Sequence, residues 1–459
     1  MKKFEKDFTK GKLGSQIIRF SVPLMLSNLL QVFFNMADIA VVGQFAGPVS
    51  LGAVGSTTIL VAMFTTALIG VTGGVNVLVA HAVGARNKRN IKETVHTSAL
   101  VCAAIGILLM LAGVIFAGPI LTVLKTKEEF IYKATIYLSI YFMGMPALAL
   151  YNFGNAVLSA VGDTKRPLAY LSAAGVINIV LNILFVVVFK LDVAGVAIAS
   201  IISQYISAIL VIRALFKSGE DYALKWRDFR ISKDKLKAIV AIGIPSGIQN
   251  GIFQLANLFV QVSVNSFSAT FVAGNSAAAN SDALIYDVMA AFYSACACFI
   301  GQNYGAGNRE RIKKSYFICL AYSFGTGAIM GLLLILFGRQ FLAIFTSDPA
   351  VIDAGMQRIV IMGFSYAVSA FMDCTIAASR GLGKSFVPTV IVTLGSCVFR
   401  VIWIYTVFAY FGTITSLYLL YVFSWSITAA AELVYFVKIY KKVLNSNQFR
   451  LHENEAKLR

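Results

Sequence analysis

Twelve long apolar segments set the strongest limit on what this chain can fold into. They lie near 17–42, 52–79, 94–118, 135–157, 168–189, 194–216, 238–266, 273–300, 315–337, 359–379, 387–409 and 414–437. Each is close to the roughly 20 residues that a helix needs to cross the hydrocarbon of a membrane. Lipid cannot satisfy exposed backbone N–H and C=O groups, so segments of this length indicate helices. We therefore predict an all-α polytopic membrane protein with twelve transmembrane helices.

The composition agrees with a membrane protein. Of 459 residues, 58% are hydrophobic and 13% are charged, and the mean hydropathy is +0.78. The N-terminal run MKKFEKDFTKGKLG is charged and lacks a small-residue cleavage site, so we expect the first apolar segment to be retained. The six cysteines all lie within or at the ends of apolar segments, and we expect neither disulfides nor a metal site from them.

The basic charge of the chain is explained by membrane topology. The formal net charge is +18, and most of the 39 Lys and Arg residues fall on one side when both termini and the even-numbered connections are cytoplasmic. Cytoplasmic loops of membrane proteins carry this excess of Lys and Arg. We predict a multi-pass protein of the cell inner (plasma) membrane with both termini in the cytoplasm. Nothing in this pattern indicates nucleic-acid binding.

The chain contains an internal repeat. Residues 84–92, GARNKRNIK, match residues 305–313, GAGNRERIK. The other matches are Gly162 with Gly383, Pro167 with Pro388, Pro23 with Pro245, Asn28 with Asn250 and Asn35 with Asn257. Because each copy holds six spans, the copies are parallel repeats, and such repeats place a substrate cavity between two lobes.

The repeat predicts four regions. They are an N-lobe at 1–216, a cytoplasmic linker at 217–237, a C-lobe at 238–442 and a cytoplasmic tail at 443–459. We expect the charged linker to be solvated at the inner face and to contact anionic lipid. We expect the tail to be disordered.

A polar stripe marks the first span. Asn28, Gln31, Asn35 and Asp38 recur at spacings of three, four and three, which places them on one helical face. An acid at membrane depth is costly unless it faces protein or water, and it is therefore a functional-site candidate. We predict that this helix lines a transport pathway and that Asp38 binds the coupling ion, the ion whose gradient drives transport.

Further polar side chains lie in other spans. The seventh span repeats the stripe with Asn250, Gln254, Asn257 and Gln261, and the fifth and sixth spans carry Asn178, Asn182, Ser200 and Gln204. Hydrogen bonding between helices is the structural alternative for each Asn and Gln. The repeated prolines Pro23 and Pro245 remove a backbone hydrogen bond, so they are either static kinks or hinges.

Four other ionisable residues lie within spans: Asp287, Asp373, Arg400 and Glu432. Glu432 is near a helix end, and we expect it to extend to the membrane surface. Asp373 and Arg400 could form a buried ion pair, and Asp287 could face the cavity or pair with Arg400. The predicted substrate cavity comprises Asn28, Gln31, Asn35, Gln204, Asn250, Gln254, Asn257, Gln261, Asp287 and Asp373.

Several motifs resemble those of the multidrug and toxic compound extrusion (MATE) transporters. They are PLMLSNLLQVFFNMADIAVVGQFAG, HAVGARNKRNIK, GQNYGAGNRERIK, LSAVGDTKRP and SRGLGKSFVP. The resemblance implies a two-lobe antiporter that exports cationic or amphipathic compounds in exchange for H⁺ or Na⁺. It assigns a cation site to Asp38, Asn178, Asn182 and Ser200. Asn182 replaces a carboxylate of the family pattern and Ser200 a threonine, which leaves one acid, as in the DinF-like branch.

The predicted function is thus secondary active multidrug efflux by alternating access between two lobes. The expected partners are small cationic or amphipathic substrates and membrane lipids, and we expect a monomer without a cofactor. A lipid-linked precursor flippase of the same superfamily is the alternative. An enzyme is not expected, because the sequence has no HExxH motif and no Ser–His constellation.

Overall fold

The computed structural model describes residues 7–457, and within them all regular secondary structure is helical. The helices of the first half are α1 (Leu13–Phe45), α2 (Pro48–Gly84), α3 (Lys88–Val123), α4 (Glu128–Phe142), α5 (Met145–Ala160), α6 (Lys165–Val188) and α7 (Asp192–Phe216). Those of the second half are α8 (Lys233–Val264), α9 (Ala269–Gly305), α10 (Arg309–Ala343), α11 (Pro349–Gly381), α12 (Phe386–Phe411), α13 (Ile414–Leu444) and α14 (Asn447–Lys457).

Among the described residues, eleven helices are long and apolar enough to cross a membrane. The helices α4 and α5 pass the same test as a pair, and they meet at a bend of 44°. Counting this pair as one span gives twelve, so the predicted all-α polytopic fold is confirmed. Ten of the twelve predicted segments fall within the corresponding helix or, for 135–157, within the bent pair; the segments 168–189 and 238–266 extend one and two residues beyond their helices.

The repeated loops have repeated local structure. Asn87 caps α3 by accepting a hydrogen bond from the Asn90 backbone N–H over 3.0 Å. Asn308 likewise caps α10 by accepting one from the Arg311 backbone N–H over 3.1 Å. The equivalent glycines Gly162 and Gly383 have φ of 87° and 77°, a region that favours glycine. The internal repeat therefore extends to the turns between helices.

The chain forms two compact units. Apart from residues 1–6, the first consists of Leu26–Val83 and Asn87–Gly247, and the second of Asp7–Met25, Gly84–Arg86 and the chain from Ile248 onwards. The core of the first unit includes Leu68, Leu121, Leu138 and Phe142, all fully buried or nearly so. A smaller core cluster of the second unit consists of Ala277, Ala278, Leu342 and Ile359.

Two membrane helices contain π-helical turns. The α6 helix becomes π-helical at Ile183–Val188, directly after Asn182. The α12 helix has two such segments, Thr393–Val398 and Ile404–Phe408, on either side of a short α-helical stretch. Single π turns within α-helices often lie at functional sites.

The connection between α7 and α8 is folded against the first unit. Tyr222, Ala223 and Leu224 are buried, and a 3₁₀ turn occupies Trp226–Asp228. The backbone N–H of Lys225 donates to Nε2 of His96 over 3.0 Å. The linker is therefore a packed segment as well as a carrier of charge.

The expected disorder of the tail at 443–459 is wrong for most of its length. The α13 helix continues to Leu444, and α14 follows at Asn447. Phe449 is fully buried, its ring lies 5.6 Å from that of Tyr304, and Arg309 stacks on it at 5.2 Å. This apolar anchor explains why a polar segment is ordered here.

Candidate functional site

Asp38 of α1 accepts hydrogen bonds from two neighbouring helices of the first unit. The side-chain amide of Asn182 on α6 donates to Oδ1, and the hydroxyl of Ser200 on α7 donates to Oδ2 over 3.1 Å. Asn178 completes the group: its Oδ1 accepts from Asn182 over 3.2 Å, and its amide donates to Ser200 over 3.4 Å. The structure thus brings together the four predicted cation-site residues.

The neutral partners of Asp38 are buried, and the half-buried acid itself lacks a cationic partner. Asn182, Asn178 and Ser200 are 0%, 5% and 7% exposed. Among residues 7–457, Asp38 forms no ion pair with Lys, Arg or His, although ten other ion pairs are present. A carboxylate held only by neutral groups retains an uncompensated negative charge.

The chemistry of this group suits a small cation. Two carboxylate oxygens and the amide oxygens of Asn178 and Asn182 are hard oxygen ligands, the kind that bind alkali and alkaline-earth ions or a proton. The Asn182 Oδ1 atom is buried and has no protein partner in the described part of the chain. It therefore remains available to a ligand.

Aromatic residues of α4 lie close to the carboxylate. Tyr137 and Tyr141 both interact electrostatically with Asp38, and their rings stack 6.1 Å apart. Thr65 and Gln204 also lie near the Tyr141 hydroxyl. Gln204, predicted to line the cavity, is therefore close to the surroundings of Asp38.

The rest of the first stripe is more accessible. Asn28 is half-buried, whereas Gln31 and Asn35 are exposed. In the second unit, Asn250 and Gln254 are half-buried, and Gln261 donates to Asn265 over 2.9 Å. Their role in a substrate cavity stays a prediction.

The second unit also has acids within its membrane helices. Asp287 is half-buried, as Asp38 is. One oxygen of Asp373 is buried without a hydrogen-bond partner among the described residues, and the carboxylate interacts electrostatically with Arg380. Arg400 instead bonds Asn257 over 2.8 Å and Ser424 over 3.4 Å. The ion pair between Asp373 and Arg400 that the sequence left open does not form.

The expectation that Glu432 extends to the membrane surface is wrong. Glu432 is 0% exposed, and neither carboxylate oxygen has a hydrogen-bond partner in residues 7–457. The α13 helix runs twelve residues beyond it to Leu444, so the position is deep within the helix. The predicted segment, which ended at 437, placed it too close to an end.

One buried polar cluster of the second unit was missed. Arg358 forms an ion pair with Asp282 and donates to Asn275 over 2.8 Å. The hydroxyl of Tyr366 donates to Asp282, and that of Tyr418 donates to Asn275 over 3.0 Å. Asp282 lies in a predicted span, and a search for a cation at the same depth would have pointed to this pair.

The predicted hinge residues lie inside continuous helices. Pro23 is in α1 and Pro245 is in α8. The division between the two compact units falls after Met25 and after Gly247, two residues beyond each proline. Both repeat-related helices thus begin in one unit and continue in the other.

Known proteins resemble this chain over most of its length. It is 29% identical over 366 residues to the probable multidrug resistance protein YpnP of Bacillus subtilis, covering 78% of this chain and 80% of that protein. It is 25% identical over 365 residues to an FAD transporter of Shewanella oneidensis, covering 77% and 79%. The fold matches a MOP superfamily transporter from Pyrococcus furiosus with a TM-score of 0.90 at 21% identity, covering 97% and 99%.

The match to a family model is independent of any single relative. The MatE model matches residues 23–184 and again residues 245–406. Both ranges begin at a repeat-related proline, and together they include most of the membrane helices described above. The chain therefore belongs to the MATE family of multi-pass membrane transporters.

Proposed function

We propose that this transporter is a secondary active multidrug exporter that exchanges cationic or amphipathic compounds for H⁺ or Na⁺. The observation that carries the proposal is Asp38, a half-buried acid that accepts hydrogen bonds from the buried Asn182 and Ser200 and has no ion pair among the described residues. The name of the Bacillus subtilis relative supports multidrug efflux. The single acid favours the DinF-like branch.

The mechanism follows from the charge at Asp38. A proton or Na⁺ neutralises the carboxylate, and a cationic substrate is attracted only when that ion is absent. Ion and substrate therefore compete, directly or through a bend in α1. Alternating access between the lobes then exports the substrate as the ion moves down its gradient. No covalent step is needed.

The same proposal covers location and assembly. We propose the cell inner (plasma) membrane as its location, with both termini in the cytoplasm, because this orientation satisfies the positive-inside rule. A monomer remains our expectation. A lipid-linked precursor flippase is not favoured, since the relatives are named for multidrug resistance or for FAD transport.

The test is gradient-driven transport of tetraphenylphosphonium in proteoliposomes, with pH and Na⁺ gradients imposed separately. We expect the wild type to respond to at least one gradient and Asp38→Asn to fall to the rate of protein-free liposomes, because the amide cannot bind the coupling ion. The control is Asp221→Asn, which removes a linker carboxylate that pairs with Lys88 on the surface. Unchanged transport by Asp38→Asn would disprove the mechanism.

A further inference from the structure

We propose that Arg400 forms an anion-binding subsite in the second unit, which takes a phosphate or carboxylate group. This inference rests on the proposed transport function and extends its substrates to compounds that bear such a group. Arg400 lies on the α-helical stretch Phe399–Trp403 of α12, between the two π-helical segments. Its side chain is 0% exposed.

The hydrogen bonds of Arg400 are incomplete. Nη1 donates to the Asn257 amide oxygen over 2.8 Å, and Nε donates to the Ser424 hydroxyl over 3.4 Å. Nη2 is buried and has no partner in the described part of the chain. A guanidinium presents five N–H donors in a fixed plane, so the unpartnered Nη2 has N–H groups that can donate to an anionic oxygen.

Two aromatic rings hold the guanidinium and leave Nη2 without a hydrogen-bond partner in residues 7–457. The guanidinium carbon Cζ of Arg400 lies 4.6 Å from the ring centre of Phe253 and 4.7 Å from that of Tyr421. Such cation–π contacts hold the guanidinium through its faces, and they do not use its N–H groups. The side chain is therefore oriented in advance, as a binding residue requires.

The local charge balance leaves Arg400 without a counter-charge. The neighbouring Arg358 also lies over Tyr421, at 5.4 Å, but it is ion-paired to Asp282. Within residues 7–457, no acidic side chain forms an ion pair with Arg400. An unpaired charge inside a membrane protein is costly and marks a functional site. An anionic ligand would offset that cost.

The repeat places Arg400 on the helix that corresponds to one helix of the Asp38 site. Arg400 lies on α12, the counterpart of α6, which carries Asn178 and Asn182. Its partner Asn257 matches Asn35 of the first stripe. The first unit thus has an acid among neutral donors, and the second has a guanidinium among neutral and aromatic groups. The two halves thus carry charges of opposite sign without an ion-pair partner among the described residues, on helices that do not correspond to each other.

A purely structural role is the competing explanation, since Arg400 also connects α12 to α8 and α13. That role predicts a loss of stability on substitution but no preference for anions in the wild type. The chemistry of Nη2 suits a phosphate from either a solute or a lipid headgroup, so the experiment needs an arm for each source.

The solute arm compares two flavins that differ only by a phosphate group. Fluorescence titration of purified wild type in detergent should show riboflavin 5′-phosphate binding at least about tenfold more tightly than riboflavin, the scale of one charge-assisted hydrogen bond. The lipid arm compares thermal stabilisation in nanodiscs of phosphatidylglycerol and of phosphatidylcholine. Arg400→Met should abolish the preference, Arg400→Lys should keep part of it, and Arg339→Met, at an exposed ion pair, should keep it fully.

The outcomes separate the proposals. A preference in either arm that Arg400→Met removes supports the subsite and identifies its source. If the wild type shows no preference in either arm, the subsite proposal is overturned, whether or not the variants fold. The proposal is also overturned if Arg400→Met retains the preference. Binding in detergent needs no ion gradient, so the result stands even if the transport test of Asp38 fails.

Discussion

At the scale of single residues, two acids of the membrane helices are stabilised in different ways. Asp38 has only neutral donors, Asn182 and Ser200. Asp282 has a guanidinium partner, Arg358, which is 8% exposed. A carboxylate paired in this way is already neutralised, whereas one held by neutral groups can exchange its ion. Only the first arrangement suits coupling.

We expect Arg358→Leu to lower the stability of the folded protein by about 3 kcal/mol, because it leaves the half-buried Asp282 charge without its ion-pair partner. The double variant Arg358→Leu with Asp282→Leu should recover most of that loss. Thermal unfolding in detergent measures both. The control is Arg339→Leu, whose pair with Asp353 is 64% and 58% exposed, and it should cost less than about 1 kcal/mol. Equal effects at the two pairs would contradict this assignment.

The sequence could locate Asp38 but not this ion pair. Asp38 stood out because three polar residues share its helical face, and the resemblance to a family supplied its partners on other spans. Arg358 lies just before the predicted segment at 359–379, where an arginine looks like an anchor at the membrane surface. The α11 helix begins at Pro349 instead, so Arg358 is inside it. Partners across helices depend on packing, which one sequence does not contain.

At the scale of elements, hydropathy predicted the membrane helices, but it predicted neither the bend between α4 and α5 nor the packing of the linker. The segment 135–157 reads as one span, yet α4 ends at Phe142 and α5 begins at Met145, with Pro146 in its first turn. Proline is favoured at a helix start, which explains the break. The linker likewise looks solvated from its charges. Its attachment to His96 and Thr97 depends on hydrogen bonds that composition cannot indicate.

The linker yields a prediction about α3. The Thr97 hydroxyl accepts from the Ser232 backbone N–H over 3.1 Å and donates to the Arg230 carbonyl over 3.4 Å. Thr97→Val keeps the shape of the side chain but removes both hydrogen bonds, which together contribute about 2 kcal/mol. The linker should therefore open away from α3 roughly 30-fold more often. The rate of trypsin cleavage at Lys225, Arg227 and Arg230 measures this opening and should rise in the variant.

The neighbouring residue provides the control for this cleavage experiment. Ser98 is also fully buried, and its hydroxyl has no partner among the described residues. We therefore expect Ser98→Ala to leave the cleavage rate within about twofold of wild type. The linker would not be held by Thr97 if both variants were cleaved at the same rate.

At the scale of the whole molecule, the duplication accounts for both similarity and difference between the halves. The MatE model matches both, and their capped loops have the same geometry. The candidate sites diverge, since Asp38 faces Asn182 in one and Arg400 faces Asn257 in the other. The two helices that pass from one unit to the other do so at repeat-related prolines. This position suits a hinge for alternating access.

We expect Pro23→Ala and Pro245→Ala each to slow tetraphenylphosphonium transport by about fivefold while leaving its binding in detergent within about twofold. Proline has no N–H, so alanine adds a backbone hydrogen bond to the carbonyl four residues earlier, worth about 1 kcal/mol, and stiffens the helix where the units divide. The control is Pro119→Ala in α3, which lies wholly within the first unit. If Pro119→Ala slows transport as much as the other two, or if none does, the prolines are static kinks and the hinge lies elsewhere.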